Sequence, residues 1–147
     1  MKIAINGFGR IGRLVYRLMK EDDFFDVVAI NDLSSSEELA YLLRYDTNHR
    51  TYDKDITFDE EDIIVDGKKT RVYSEMDPSN LPWGELGIDL VFECTGKFTK
   101  KEDANKHILA GAKKVLISAP GKGDMKTVVY NVNDDILTGD DVIVSAA

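Results

Sequence analysis

The tightest constraint on this chain lies at its start. A short apolar run, Ile3-Ala4-Ile5, is followed at once by Gly7-x-Gly9-x-x-Gly12. Beyond it, Ile11, Leu14, Val15 and Leu18 fall at i, i+3, i+4 and i+7, the period of an amphipathic helix. Strand, glycine turn and helix in that order give the triplet its meaning. The first glycine makes a tight turn, the second lets the backbone approach a pyrophosphate, and the third lets the helix sit close to the strand. The free N–H groups at the helix start then face the phosphates. This pattern predicts a bound dinucleotide.

A second match lies downstream. Asp26–Asn31 reads Asp-Val-Val-Ala-Ile-Asn, the continuous apolar type of a strand buried on both faces of a parallel sheet. It ends at Asn31-Asp32, and Asp32 stands 20 residues after Gly12, where the fingerprint expects an acid for the adenosine ribose. A carboxylate there accepts from ribose hydroxyls and repels a 2′-phosphate, so it favours NAD over NADP. A plain turn cap before the next helix is the competing role for Asp32.

The chain's 147 residues suit one domain with a real core. A net charge of −8 argues against nucleic acid or a membrane surface as partner, and its simplest meaning is solubility. The single cysteine, Cys94, excludes an internal disulfide and fits a reducing, cytoplasmic location. No signal peptide or membrane span is visible, and no apolar run approaches bilayer length.

Further along, Ser34 with Glu37 or Ser35 with Glu38 satisfies a capping box. The helix it opens is predicted to reach about Tyr45, with Leu39, Leu42 and Leu43 inward. From Thr47 to Ser74 helical periodicity disappears. Ile63-Ile64-Val65, Asp66-Gly67 and Arg71-Val72-Tyr73 predict an inserted hairpin. The acids Asp59 to Asp62 splay rather than converge, so a solvated loop is expected there and no metal. His49 and His107 lack ligand spacing and are expected to be structural or exposed. Met76–Gly84 reads as a loop anchored on the core by Trp83. Buried strands are predicted at Asp89–Cys94 and Lys114–Ser118, with two more at Thr127–Val132 and Val142–Ser145. Thr99 with Glu102 is a second capping box, opening a helix that ends at Ala110 with Gly111 as its C′ residue. The whole predicts an α/β, Rossmann-type doubly wound fold, mainly parallel, with an inserted β-hairpin. Ligands bind beyond the carboxyl ends of such strands. Thr95-Gly96, Ser118-Ala119 and Ser145-Ala146 therefore form the expected rim.

Longer stretches carry a family resemblance. Asn6-Gly7-Phe8-Gly9-Arg10-Ile11-Gly12-Arg13 resembles the opening of the glyceraldehyde-3-phosphate dehydrogenases. Asn31-Asp32-Leu33, Leu42-Leu43-Arg44-Tyr45-Asp46, Asp77-Pro78 with Leu81-Pro82-Trp83, Glu93-Cys94-Thr95-Gly96, and Ala110 to Pro120 match as well. The likeness covers essentially the whole chain and is nearest the NAD-dependent glycolytic form. It implies a cytoplasmic, homotetrameric parent enzyme. In the family reaction a cysteine thiolate attacks an aldehyde, hydride passes to NAD, and phosphate cleaves the thioester, with a histidine as base.

By the same resemblance the cofactor-binding residues are Asn6, Gly7, Gly9, Arg10, Ile11, Gly12, Asn31, Asp32, Met76, Thr95, Gly96, Phe98, Ser118 and Ala119. Backbone N–H groups of Arg10 and Ile11 meet the pyrophosphate, and Asp32 holds the adenosine ribose. Met76 lies by the adenine, where a backbone contact suffices. Thr95, Gly96 and Phe98 line the adenine and ribose side, and Ser118 and Ala119 lie toward the nicotinamide. Lys97 stands where the family often has an aromatic residue. The family nucleophile sits in a Ser-Cys-Thr-Thr-Asn stretch, which would follow Val144-Ser145-Ala146. Neither it nor the catalytic histidine falls within these residues, and Cys94, in a buried strand end, is no substitute. Residues 1–147 are thus expected to form an NAD-binding domain without its catalytic domain, able to bind NAD but not to turn over. An apolar face left uncovered is expected to promote self-association. An erythrose 4-phosphate dehydrogenase cofactor domain, or a non-catalytic surface-binding module, are the alternatives.

Overall fold

The computed structural model describes residues 1–45, 52–128 and 134–146. Asp46, His49 and most of the strand expected over Thr127–Val132 lie outside the described residues. The Gly-rich start folds as strand β1 (Lys2–Asn6), then helix α1 (Arg10–Lys20), then strand β2 (Asp26–Asn31). Helix α2 (Ser36–Arg44) follows, and then a meander of β3 (Ile56–Phe58), β4 (Asp62–Val65) and β5 (Lys68–Tyr73). A short helix α3 (Trp83–Leu86) leads into β6 (Leu90–Glu93), helix α4 (Lys101–Leu109) and β7 (Lys114–Ile117). Strands β8 (Lys126–Thr127) and β9 (Ile143–Ser145) complete the described strands, with a 3-10 turn over Asp134–Ile136 between them.

The strands form one sheet in the order β3-β4-β5-β2-β1-β6-β7-β9-β8. Every pairing from β5 through β8 is parallel, and only β3–β4 and β4–β5 are antiparallel. Successive residues of β1 divide between two cores, as strand geometry demands. Ile3 and Ile5 face Tyr16, Leu39 and Leu43 of α1 and α2. Ala4 faces the other layer, with Trp83, Ala104 of α4, Val91 and Val115. Both faces are covered, so the sheet is doubly wound. Each fully buried Ile or Leu here contributes about 1.5–3 kcal/mol. From β1 the chain first builds outward through β2, then returns to place β6 on the other flank of β1. That reversal opens a crevice at the strand ends, the general ligand position in such sheets.

Several local expectations are corrected. Helix α1 buries Gly12, Arg13 and Tyr16, while Ile11 and Leu18 are 50% and 58% exposed. Gly12 must meet the turn, and the Arg13 guanidinium donates to the Phe8 carbonyl at 2.9 Å, which turns the apolar stripe sideways. Of the two expected caps for α2 the structure uses Ser35, which accepts from Glu38 N–H. Ala40 is buried beside Leu39 and Leu43, and Leu42 is exposed. Thr99 caps nothing by its side chain. Helix α4 starts after Lys100, because Lys101 N–H donates to the Lys122 carbonyl and a strand-like bridge joins Lys100 to Lys122. Gly111 follows with φ +110°, as its C′ role requires. Met76–Gly84 is not all loop: Asp77 caps a 3-10 turn over Pro78–Asn80, and Trp83 opens α3. Asp62 is not a solvated acid, since it is buried in β4 and paired with Arg71 Nε at 3.0 Å. His107 is fully buried, the structural one of its two expected roles. Among the described residues no helix is long and apolar enough to cross a membrane, and no group of three or more acid, His or Cys residues is placed to hold a metal.

Candidate functional site

The glycine turn is fastened to the end of β2 at two points. Gly7 N–H donates to the Asn31 carbonyl at 2.8 Å, and Phe8 N–H donates to Asp32 Oδ2 at 2.8 Å. The other carboxylate oxygen of Asp32 accepts from Ser34 N–H at 3.0 Å. Each oxygen keeps acceptor capacity toward the crevice, since a carboxylate has about four lone-pair sites. Gly7 has φ +92°, a left-handed value that favours glycine. The first intrahelical bond of α1 runs from Arg13 N–H to the Gly9 carbonyl at 2.9 Å. The N–H groups of Arg10, Ile11 and Gly12 therefore point off the helix end, the anion-favouring arrangement.

Beside this turn lies a cleft of about 540 Å³, lined by Asn6, Gly7, Gly9, Asn31, Asp32, Leu33, Glu75, Met76, Cys94, Thr95, Lys97 and Phe98. That volume is ordinary for a small-molecule site. The structure thus brings together Asn6, Gly7, Gly9, Asn31, Asp32, Met76, Thr95 and Phe98 of the expected residues. Arg10, Ile11, Gly12, Gly96, Ser118 and Ala119 do not line it. Gly12 is buried behind the turn, where it serves helix packing. Ser118 sits one strand further along, its hydroxyl donating to the Glu93 carbonyl at 3.2 Å. Ala119 lies beyond it, its carbonyl accepting from the Ser145 hydroxyl at 2.7 Å.

Leu33, Glu75, Cys94 and Lys97 line the cleft without having been expected there. Each is a chain neighbour of an expected residue, so the strand-end argument could have reached them. Asn6 and Asn31 form the floor, and their amides are committed to protein partners. Asn31 Nδ2 donates to Asn6 Oδ1 at 2.8 Å and to the Glu75 carbonyl at 2.9 Å, and Asn31 Oδ1 accepts from Glu75 N–H.

The surroundings of Cys94 disfavour its thiolate. Burial pushes its thiol from 9.0 up to about 11, against a smaller lowering from its hydrogen bond with Ser118. The fold favours the neutral thiol. Its contribution to stability is complete below about pH 9 and declines as pH rises toward 11. A thiol raised this far carries about a hundredfold less thiolate at pH 8 than the same thiol in the unfolded chain. Alkylation of the native chain by iodoacetamide is therefore expected to run about a hundredfold slower than that of the urea-unfolded chain. Equal rates would contradict the burial of this thiol.

The sheet order, the glycine turn and the acid after β2 define a doubly wound dinucleotide-binding domain. The chain belongs to the family "Glyceraldehyde 3-phosphate dehydrogenase, NAD binding domain", whose model matches residues 1–101, and NAD is that family's cofactor. Among curated relatives, glyceraldehyde-3-phosphate dehydrogenase of Clostridium pasteurianum is 53% identical over 146 residues, covering 99% of this chain and 44% of the relative. That of Zymomonas mobilis is 55% identical over 150 residues, covering 100% and 44%. That of Thermotoga maritima is 50% identical over 148 residues, covering 99% and 44%. The chain thus spans less than half the length of these relatives.

Proposed function

We propose that the chain holds NAD in the cleft between β2, the glycine turn and β6, as the cofactor domain of a cytoplasmic, homotetrameric glyceraldehyde-3-phosphate dehydrogenase. The parent enzyme would oxidise and phosphorylate D-glyceraldehyde 3-phosphate. One observation carries the cofactor assignment: Asp32 presents a carboxylate at the cleft while the same group ties down the turn at Phe8. Open space beyond Gly9, where an added Cβ would meet nothing within 4 Å, leaves room for a close phosphate.

In this reading the Arg10 and Ile11 N–H groups take the pyrophosphate and Asp32 takes the adenosine ribose. The Met76 backbone meets the adenine. Thr95, Gly96 and Phe98 form the opposite wall, and Ser118 and Ala119 extend it toward the nicotinamide. Bound NAD supplies the hydride acceptor. The residues of this chain that face it bind and orient it. Tyr41, Leu42 and Tyr45 near α2 and Phe58 on β3 are apolar and exposed, which supports self-association at that face.

Calorimetric titration with NAD and NADP tests the assignment. Saturable NAD binding is expected with a dissociation constant of about 1 mM or tighter, and NADP at least tenfold weaker. No NAD binding, or a preference for NADP, would overturn it.

A further inference from the structure

Under the cleft floor runs a row of buried polar side chains: Asn31, Asn6, Glu93 and His107, closed by Trp83. None is more than 4% exposed. Trp83 Nε1 donates to His107 Nδ1 at 3.0 Å. An indole nitrogen only donates, so Nδ1 accepts and the ring proton stands on Nε2. His107 Nε2–H then donates to Glu93 Oε1 at 2.8 Å. Asn6 Nδ2 donates to the same oxygen at 2.6 Å. It lies 3.5 Å from His107 Nε2, but two donors make no bond to each other. Glu93 Oε2 receives the Thr95 N–H at 2.9 Å and the Thr95 hydroxyl at 2.7 Å. Four donors complete the carboxylate's capacity.

This carboxylate fastens both walls of the cleft. Asn6 immediately precedes the glycine turn. Thr95 forms the opposite wall and packs against that turn, since a Cβ added to Gly7 would stand 2.8 Å from Thr95 Cγ2. The two walls differ in freedom. Asn6 is gripped by β2 and β6 on either side of β1. Thr95 lies past the end of β6, and its hydroxyl also accepts from Lys97 N–H at 3.1 Å. If Glu93 loses a donor, the segment free to move is Thr95 to Phe98, of which Thr95, Lys97 and Phe98 line the cleft.

We propose that His107 is a positioning residue for the cofactor. Resting on the assignment of the cleft to NAD, its Nε2–H, with the tautomer fixed by Trp83, holds Glu93 so that Glu93 holds the Thr95 wall. His107 does not itself line the cleft, and it reaches the wall in two ways: through this chain of bonds, and by an edge-on ring contact with Phe98 at 6.5 Å between centroids, which glutamine would not restore.

The test compares H107L, H107Q and the core control V115A by NAD calorimetry, each well below its own melting temperature. Leucine keeps bulk but neither donates nor accepts. A glutamine amide can accept from the indole and donate to the carboxylate. Affinity is expected to fall about tenfold in H107L and to recover to within about threefold in H107Q. V115A should melt lower with unchanged affinity. Equal affinity in H107L and wild type, no recovery in H107Q, or a loss in V115A matching H107L would each overturn the proposal.

The indole N–H resonance of Trp83, the chain's only tryptophan, supplies a measurement on the unaltered chain. Trp83 does not line the cleft, so a shift of this resonance on adding NAD is expected, and an unmoved one counts against the relay. A wild-type chain that fails to bind NAD defeats the cofactor assignment. One that binds equally well as H107L defeats only the positioning role.

Discussion

Asp32→Ala is expected to weaken NAD binding by roughly ten- to a hundredfold, because two separate losses coincide. The proposed ribose acceptor disappears, and hydrogen bonds to a charged group are each worth about 1.5–3 kcal/mol. The Phe8 N–H also loses its acceptor, which loosens the turn leading into α1, whose N-terminus is the proposed phosphate site. Asp32→Asn separates these effects. One amide oxygen can still accept from Phe8 N–H, while the charge that repels a 2′-phosphate is gone. NAD affinity should then fall less than in the alanine variant, and the preference over NADP should shrink toward parity. Titration of both variants with both cofactors checks this. An unchanged dissociation constant in Asp32→Ala would remove the carboxylate from the site and leave only its role as a turn brace.

What could be read from the sequence was what local chemistry decides. The β2 strand, Asp26–Asn31, needed only its apolar run and the acid behind it, and its boundaries match the structure. The glycine turn was legible for the same reason: Gly7 takes a φ of +92° and Gly12 packs against the Gly7 carbonyl, both constraints within the turn itself. Faces of helices were harder. Ile11 and Leu18 lie on the apolar period of α1, yet the helix is seated by Gly12 and Arg13, whose contacts with the turn belong to tertiary structure. The same holds for Leu42. Strand β3 went unread because three residues with one buried apolar side chain, Ile56, give no period. Least legible was the Glu93–His107–Trp83 row. Its members come from β6, α4 and α3, separated by 14 and 24 residues, and no spacing rule links them. His107 reads in isolation as a structural or exposed histidine. Only the packing of α4 against the sheet reveals which atoms it serves.

The two glycines flanking the helix start should respond to the same substitution in opposite ways. In Gly12→Ala the new Cβ would stand 2.1 Å from the Gly7 carbonyl oxygen and 3.3 Å from Ile5 Cγ2. The first obstacle is backbone, so no side-chain rotation relieves it. Helix α1 must move away from β1, or the turn must deform. Overpacking of this kind costs about 1–3 kcal/mol or more, which for a chain of this length lowers the melting temperature by roughly 3–12 °C. NAD affinity should fall as well, since the displaced helix carries the phosphate-facing N–H groups. Gly9 differs on both counts. Its φ of −79° suits any residue, and an added Cβ meets no atom within 4 Å. Gly9→Ala should therefore melt within a degree or two of wild type. Yet Gly9 lines the cleft, and in the proposed pose its open space is where the pyrophosphate approaches the backbone. A methyl group there should weaken NAD binding about tenfold while leaving the fold intact. Thermal melts and NAD titrations of both variants decide the matter. If Gly9→Ala binds NAD as wild type does, the phosphates do not pass over this turn. If Gly12→Ala melts as wild type does, α1 does not depend on the close approach that the third glycine permits.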